Sequence, residues 1–245
     1  MLYIVKGEPP KSLIEKTIEM TKSDAWKNAD SDDTQLLRSF FDNLDKQSVR
    51  ESLVREQRGL CAYCMKRIEP NDRMHIEHFT PVKGHKDMVL NYQNMLGCCK
   101  GGGGRNEENR VLCCDAAKKE KSISLDPRNK EMMAKVRYSF KGRIYVYPED
   151  SSLQHDIDRT LMLNGKLDPK GNMTSDTSTK IVAGRRFAYK EYEILMQQLD
   201  KKYGKNESKI QTAVKKKIAE IEGMEILPEY AGVMLYFLRR RVGGR

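Results

Sequence analysis

The chain is expected to fold as an α+β protein in which a small metal-stabilised unit is flanked by two mainly helical regions. Three observations predict this. All six cysteines fall between Cys61 and Cys114. Apolar residues recur at helical spacing on both sides of that segment, and a short alternating stretch follows it.

Residues 1–54 read as a helical lead-in. Leu2 to Val5 has strand character, Pro9 and Pro10 interrupt regular structure, and a helical stretch opens at Lys11. Leu36, Leu37, Phe40, Phe41 and Leu44 repeat at helical spacing before a second amphipathic run from Lys46 to Arg58. These aromatics, with Trp26, are read as packing residues. Residues 55–125 change to short segments punctuated by Cys, Pro, Gly and Asn, the composition of a unit held by metal more than by a large core. Residues 126–245 open with a β-hairpin, in which Val136, Tyr138 and Phe140 face Ile144 and Val146 across Lys141-Gly142-Arg143. Three helical stripes follow, on Ile181 to Leu199, Ile210 to Ile221 and Tyr230 to Phe237, read as packing faces directed inward or toward a partner.

Composition narrows the class. With 38% hydrophobic and 33% charged residues and no apolar run approaching ~20 residues, the chain is expected to be neither membrane-spanning nor disordered. Its start lacks the succession of a secretory signal, so a reducing cytoplasm is the expected compartment. The net charge of +10 is unevenly spread: residues 1–54 carry 8 basic and 10 acidic side chains, against 13 and 9 in 55–121 and 15 and 8 in 177–245. That field suits phosphate backbones without specifying sequence. Lys215 to Lys217 read as a solvated face, and Arg239 to Arg241 as solvated or phosphate-gripping.

Cysteines crowded into one segment favour a metal site over a disulfide framework. Cys61-Ala-Tyr-Cys64 sets two thiolates on one turn, the start of a tetrahedral zinc shell. The second pair is drawn from Cys98 or Cys99 and from Cys113 or Cys114, because adjacent side chains diverge. Four thiolates close the shell, so such a zinc is structural. The run Gly101 to Gly104 is no P-loop, since no Gly-Lys-Ser/Thr follows, and reads as a flexible insertion.

Inside this frame lie His75-Ile-Glu77-His78-Phe-Thr-Pro81, then Asn91-Tyr-Gln-Asn94, then Cys114-Asp115-Ala-Ala-Lys118. Phosphodiester hydrolysis needs a base for water, a divalent ion at the phosphate and groups that hold both in register, and all three can be assigned here. The segment resembles the zinc-bearing HNH endonucleases, with their small ββα-metal core. The Gly-rich insertion and the Cys-Asp-x-x-Lys end narrow that resemblance to the nuclease subunits of bacterial Septu and retron-associated antiphage systems. Weaker matches at Ser124 to Pro127, Tyr138 to Tyr147, Thr160 to Asn164 and Tyr230 to Arg241 extend it over residues 55–245.

The resemblance implies zinc on Cys61, Cys64, Cys99 and Cys114, with Asn94 five positions before Cys99 setting the register. It implies His78 as general base, Glu77 and Asp115 as ligands of Mg²⁺ or Mn²⁺, and Asn94 bracing the loop that carries His78. Asp115 stands where the family often has His, and Asp remains a good Mg²⁺ ligand. Lys118 falls at the family's Lys position and is expected at phosphate, as are Lys83 and His85 in their Gly-Lys loop. His75 would share the face of Glu77 on a strand and support the site; His155 has no chemical neighbours in sequence. The implied cell is bacterial, and the implied partners are a nucleic-acid substrate, DNA before RNA, an ATPase of the Septu type related to ABC and SMC ATPases, and in retron relatives a reverse transcriptase with its RNA-DNA product. The competing expectation is a zinc-stabilised nucleic-acid-binding or ATPase-docking module without cleavage.

Overall fold

The computed structural model describes residues 1–102, 110–204 and 206–243. Gly103 and Gly104 of the expected flexible insertion lie outside them. The fold is α+β, with helices predominating and three separate two-stranded antiparallel sheets among the described residues.

Four helices come first: α1 (Lys11–Lys22), α2 (Asp24–Asn28), α3 (Thr34–Asp42) and α4 (Lys46–Glu56). Their starts follow from capping chemistry. Asp33 accepts the Leu36 N–H at 2.9 Å, and Asp45 accepts those of Gln47 and Ser48, satisfying amides that have no partner inside the helix. Residues 2–5 form no strand. Ile4 N–H bonds Pro127 O at 2.9 Å, but no ladder partner runs alongside, so strand propensity there goes unused.

The central unit is built on β1 (Met74–His78) paired antiparallel with β2 (Met95–Cys99), with Glu77 opposite Leu96 and His75 opposite Cys98. Two single-turn 3₁₀ segments, Lys86–Met88 and Tyr92–Asn94, shape the connecting loop. The short helix α5 (Cys114–Lys118) then packs against β2.

Beyond it lie α6 (Lys130–Lys135) and the expected hairpin, β3 (Val136–Tyr138) with β4 (Ile144–Val146); Phe140 sits in its turn and is 60% exposed. Next come α7 (Ser151–His155), continued by a π-turn over Asp156–Thr160, and the small hairpin β5 (Lys166–Leu167) with β6 (Met173–Ser175). The three apolar stripes become α8 (Ile181–Tyr203), α9 (Glu207–Gly223) and α10 (Ala231–Arg241), packed on one another. Arg185 of α8 is fully buried and donates to Gly142 O at 2.7 Å and Leu163 O at 2.5 Å, tying the hairpin turn to the helices.

Buried residues from Met1 to Leu238 form one continuous cluster, so all three sequence regions share a core. The C-terminal helices also reach the cysteine turn, with Tyr230 N–H on Met65 O at 3.0 Å and Arg67 N–H on Glu229 Oε1 at 2.7 Å. No helix among the described residues is long and apolar enough to cross a membrane.

Candidate active site and metal centre

Cys61 and Cys64 sit on a turn closed by the Leu60–Arg67 bridge and by Cys61 N–H on Lys66 O at 2.8 Å. Ala62 N–H on Gly97 O, at 3.0 Å, fastens that turn to β2. The buried Gln57 amide completes the join: it accepts from Gly97 N–H at 2.6 Å and donates to Gly97 O at 2.7 Å and Leu60 O at 2.8 Å. The glycine leaves it room: a Cβ at position 97 would lie 2.9 Å from Ile68 Cδ1 and 3.2 Å from the Gln57 nitrogen, so those side chains would have to shift. Past the insertion the chain returns through Cys113 N–H on Gly101 O at 2.9 Å, a close approach at a left-handed Gly101 that sets Cys114 beside Cys99.

The result is a four-sulfur cluster. Cys61 and Cys114 Sγ are 3.9 Å apart, Cys64 and Cys99 3.6 Å, and Cys99 and Cys114 3.8 Å. Tetrahedral zinc with bonds of about 2.3 Å separates its sulfurs by ~3.8 Å, so the spacing fits a zinc shell. Cys61, Cys64, Cys99 and Cys114 can therefore hold a metal ion such as zinc. Cys98 is fully buried next to this group, and Cys113 Sγ lies 3.4 Å from Thr179 Oγ1; neither belongs to the foursome.

Asp115 follows Cys114 directly and so enters the site from the first turn of α5. Its Oδ2 accepts from His75 Nδ1 at 2.8 Å, and its carboxylate meets that of Glu77. Glu77 is 5% exposed, also receives the Tyr63 hydroxyl at 3.3 Å, and is pushed well above the usual carboxylate range by burial first and the neighbouring Asp115 second. Burial works the same way on Asp115, but hydrogen bonding from His75 and Glu77 outweighs it and leaves that group below its ordinary value.

His78, at the end of β1, donates from Nε2 to Val89 O at 2.9 Å. A carbonyl only accepts, so neutral His78 carries its proton on Nε2 and keeps Nδ1 as an acceptor. The Phe41 ring of α3 stands edge-on to the imidazole at 4.7 Å. Burial lowers the His78 pKa, opposed by the Val89 contact and reinforced by the positive charges of Lys118 and Arg38. Asn94, 2% exposed, holds the loop: Oδ1 accepts Thr80 N–H at 2.8 Å, and Nδ2 donates to Thr80 O at 2.9 Å and Met88 O at 3.2 Å.

Glu77, His78, Asp115 and Phe41 line a cleft of about 480 Å³, walled by β1, α5 and α3. Lys118 does not face it as a phosphate ligand would. Its side chain is fully buried, with Nζ 2.7 Å from Glu77 Oε1 and donating to His78 O at 3.1 Å, so the expected phosphate contact is corrected to an internal ion pair. Lys83 and His85 are exposed on the loop following Pro81 and Val82 of the cleft wall, with the His85 ring turned back on Lys83 O at 2.9 Å. His155 is exposed at the end of α7. The sequence reading missed Gln57, Tyr63, Arg38 and Lys119; only Tyr63, inside the Cys-x-x-Cys turn, carried a positional hint. Phe41, read as packing, packs on His78 itself. No protein-family model and no curated protein matches this chain.

Proposed function

We propose that this chain is a metal-dependent endonuclease of the HNH type that hydrolyses phosphodiester bonds, in DNA by preference over RNA. The observation that carries the reading is the convergence of Glu77, Asp115 and His78 on one cleft. Two carboxylates in contact under burial repel each other unless a proton or a cation intervenes, and hard oxygen donors suit Mg²⁺ or Mn²⁺. Bound by Glu77 and Asp115, such an ion supplies charge stabilisation at phosphate and leaving oxygen. The protein's own groups do the rest. His78 takes a proton from water at Nδ1 while Val89 O fixes the tautomer. Asn94 keeps the loop that follows His78 in register, and His75 orients Asp115. On this reading β1, β2 and α5 are the ββα core, and structural zinc on the four cysteines secures Asp115 through its neighbour Cys114.

The implied setting is a bacterial antiphage complex in which an ATPase of the Septu type, or in retron relatives a reverse transcriptase with its RNA-DNA product, accompanies the nuclease. The test replaces the metal-binding carboxylate. Asp115→Asn with zinc retained is expected to cut Mg²⁺- or Mn²⁺-dependent cleavage of DNA by about 100-fold. Undiminished cleavage excludes the assignment; nucleic-acid binding without cleavage by any form supports the binding-module alternative.

A further inference from the structure

With Lys118 consumed inside the protein, the cleft needs another source of positive charge for a phosphate backbone. Two cations line it, Arg38 from α3 and Lys119 just past α5, and both are exposed. Arg38 is paired with Glu120, another residue of the same cleft, with side chains 59% and 47% exposed. An exposed pair of this kind contributes little net stability, so Arg38 exchanges partners at small cost. Lys119 forms no ion pair among the described residues and sits at φ 53°, ψ −128°, a backbone conformation that a lysine adopts only under constraint. Arg38 shares this cleft lining with His78 and Asp115.

We propose that Arg38 and Lys119 are the phosphate-binding residues of this cleft, with Arg38 leaving Glu120 for a phosphate oxygen when nucleic acid enters. The inference rests on the nuclease reading for the identity of the ligand, and it makes α3 of the N-terminal region part of the substrate site. Glu120 then occupies, in the free protein, the guanidinium that the backbone takes in the complex. A guanidinium offers two parallel donors to phosphate as it does to carboxylate, which suits the exchange.

The experiment measures binding of a short fluorescein-labelled DNA duplex, and of its single strand, by anisotropy across a salt series, in a His78→Ala background so that substrate persists. Arg38→Ala is expected to weaken binding about tenfold and to reduce the slope of log K against log salt by about one. Lys119→Ala should weaken it similarly, while Glu120→Gln should tighten it several-fold. Lys190→Ala and Glu191→Gln, the same charge changes on exposed α8 positions outside the cleft, serve as controls. Opposite shifts at Arg38 and Glu120, both larger than the controls, support the proposal. Equal or same-direction effects at the two partners mean that the pair is only structural and overturn it, as does a duplex and single strand that bind no better to the His78→Ala parent than to the parent carrying Arg38→Ala. Cleavage by His78→Ala equal to wild type, measured separately, sinks the nuclease reading alone, since the binding comparison stands apart from it.

Discussion

Lys118 Nζ stands 2.7 Å from Glu77 Oε1 with both side chains withdrawn from solvent. Removing one partner of a buried pair costs up to about 3–5 kcal/mol, and less here to the extent that Glu77, already raised by burial and Asp115, takes up a proton. Lys118→Ala is therefore expected to lower unfolding free energy in urea by up to that amount, whereas Lys119→Ala, one residue on and exposed, should stay within about 0.5 kcal/mol of wild type. Equal effects at the two lysines would contradict the buried-pair assignment.

The adjacent cysteines provide a direct comparison. Cys99→Ser and Cys114→Ser should lose bound zinc and much of the native fold, while Cys98→Ser and Cys113→Ser keep one zinc per chain. Elemental analysis of the four purified variants decides it; zinc lost from the second pair would move the ligand set.

Gln57 carries no charge and lies outside the motifs, yet its three hydrogen bonds join the cysteine turn to β2. Each is worth about 1 kcal/mol net, and groups left unpaired add to that. Gln57→Ala should destabilise the fold by about 3 kcal/mol or more in a denaturant titration; a change under about 1 kcal/mol would show that water replaces the amide.

On the proposed nuclease reading, His78 sets the acid limb of cleavage. A general base works neutral, and burial holds the His78 pKa below the ordinary value of 6.5, so its protonation would remove activity only on the acid side of that value. Activity should rise with pH through this lowered pKa and be level in His78 by neutrality. Arg38→Ala, by removing a nearby positive charge, should move the limb toward higher pH; a limb that moves the other way contradicts the assignment.

His75 holds Asp115 without lining the cleft. His75→Ala should raise the Mg²⁺ or Mn²⁺ concentration needed for half-maximal cleavage about 10- to 100-fold and leave zinc content unchanged. An unaltered metal requirement would reduce His75 to a surface residue.

Much of this was legible before folding was considered, and the reason differs by element. Helices α3, α4 and α8 to α10 announce themselves because a 3.6-residue apolar period has few other uses, and the 136–146 hairpin because alternation meets a glycine turn. The cysteine cluster was legible in outline because thiolates crowd one segment and neighbours cannot share one ion, while the choice of Cys99 and Cys114 over their neighbours came only from the family resemblance. Burial of single polar groups was not. Lys118 is expected at phosphate until Glu77 and the His78 carbonyl arrive from another element, and no local pattern encodes that meeting. The same holds for the approach of α3 to His78, which depends on how a separate helix docks. Strands as short as β5 and β6 carry too few residues for alternation to register.

The most direct measurement compares wild type and His78→Ala, each zinc-loaded and assembled with its ATPase partner where one is present, on DNA and RNA with Mg²⁺ or Mn²⁺. The account predicts metal-dependent cleavage by wild type and a loss of at least about 100-fold in His78→Ala, with zinc content and folding unchanged. Equal cleavage by the two proteins would contradict it.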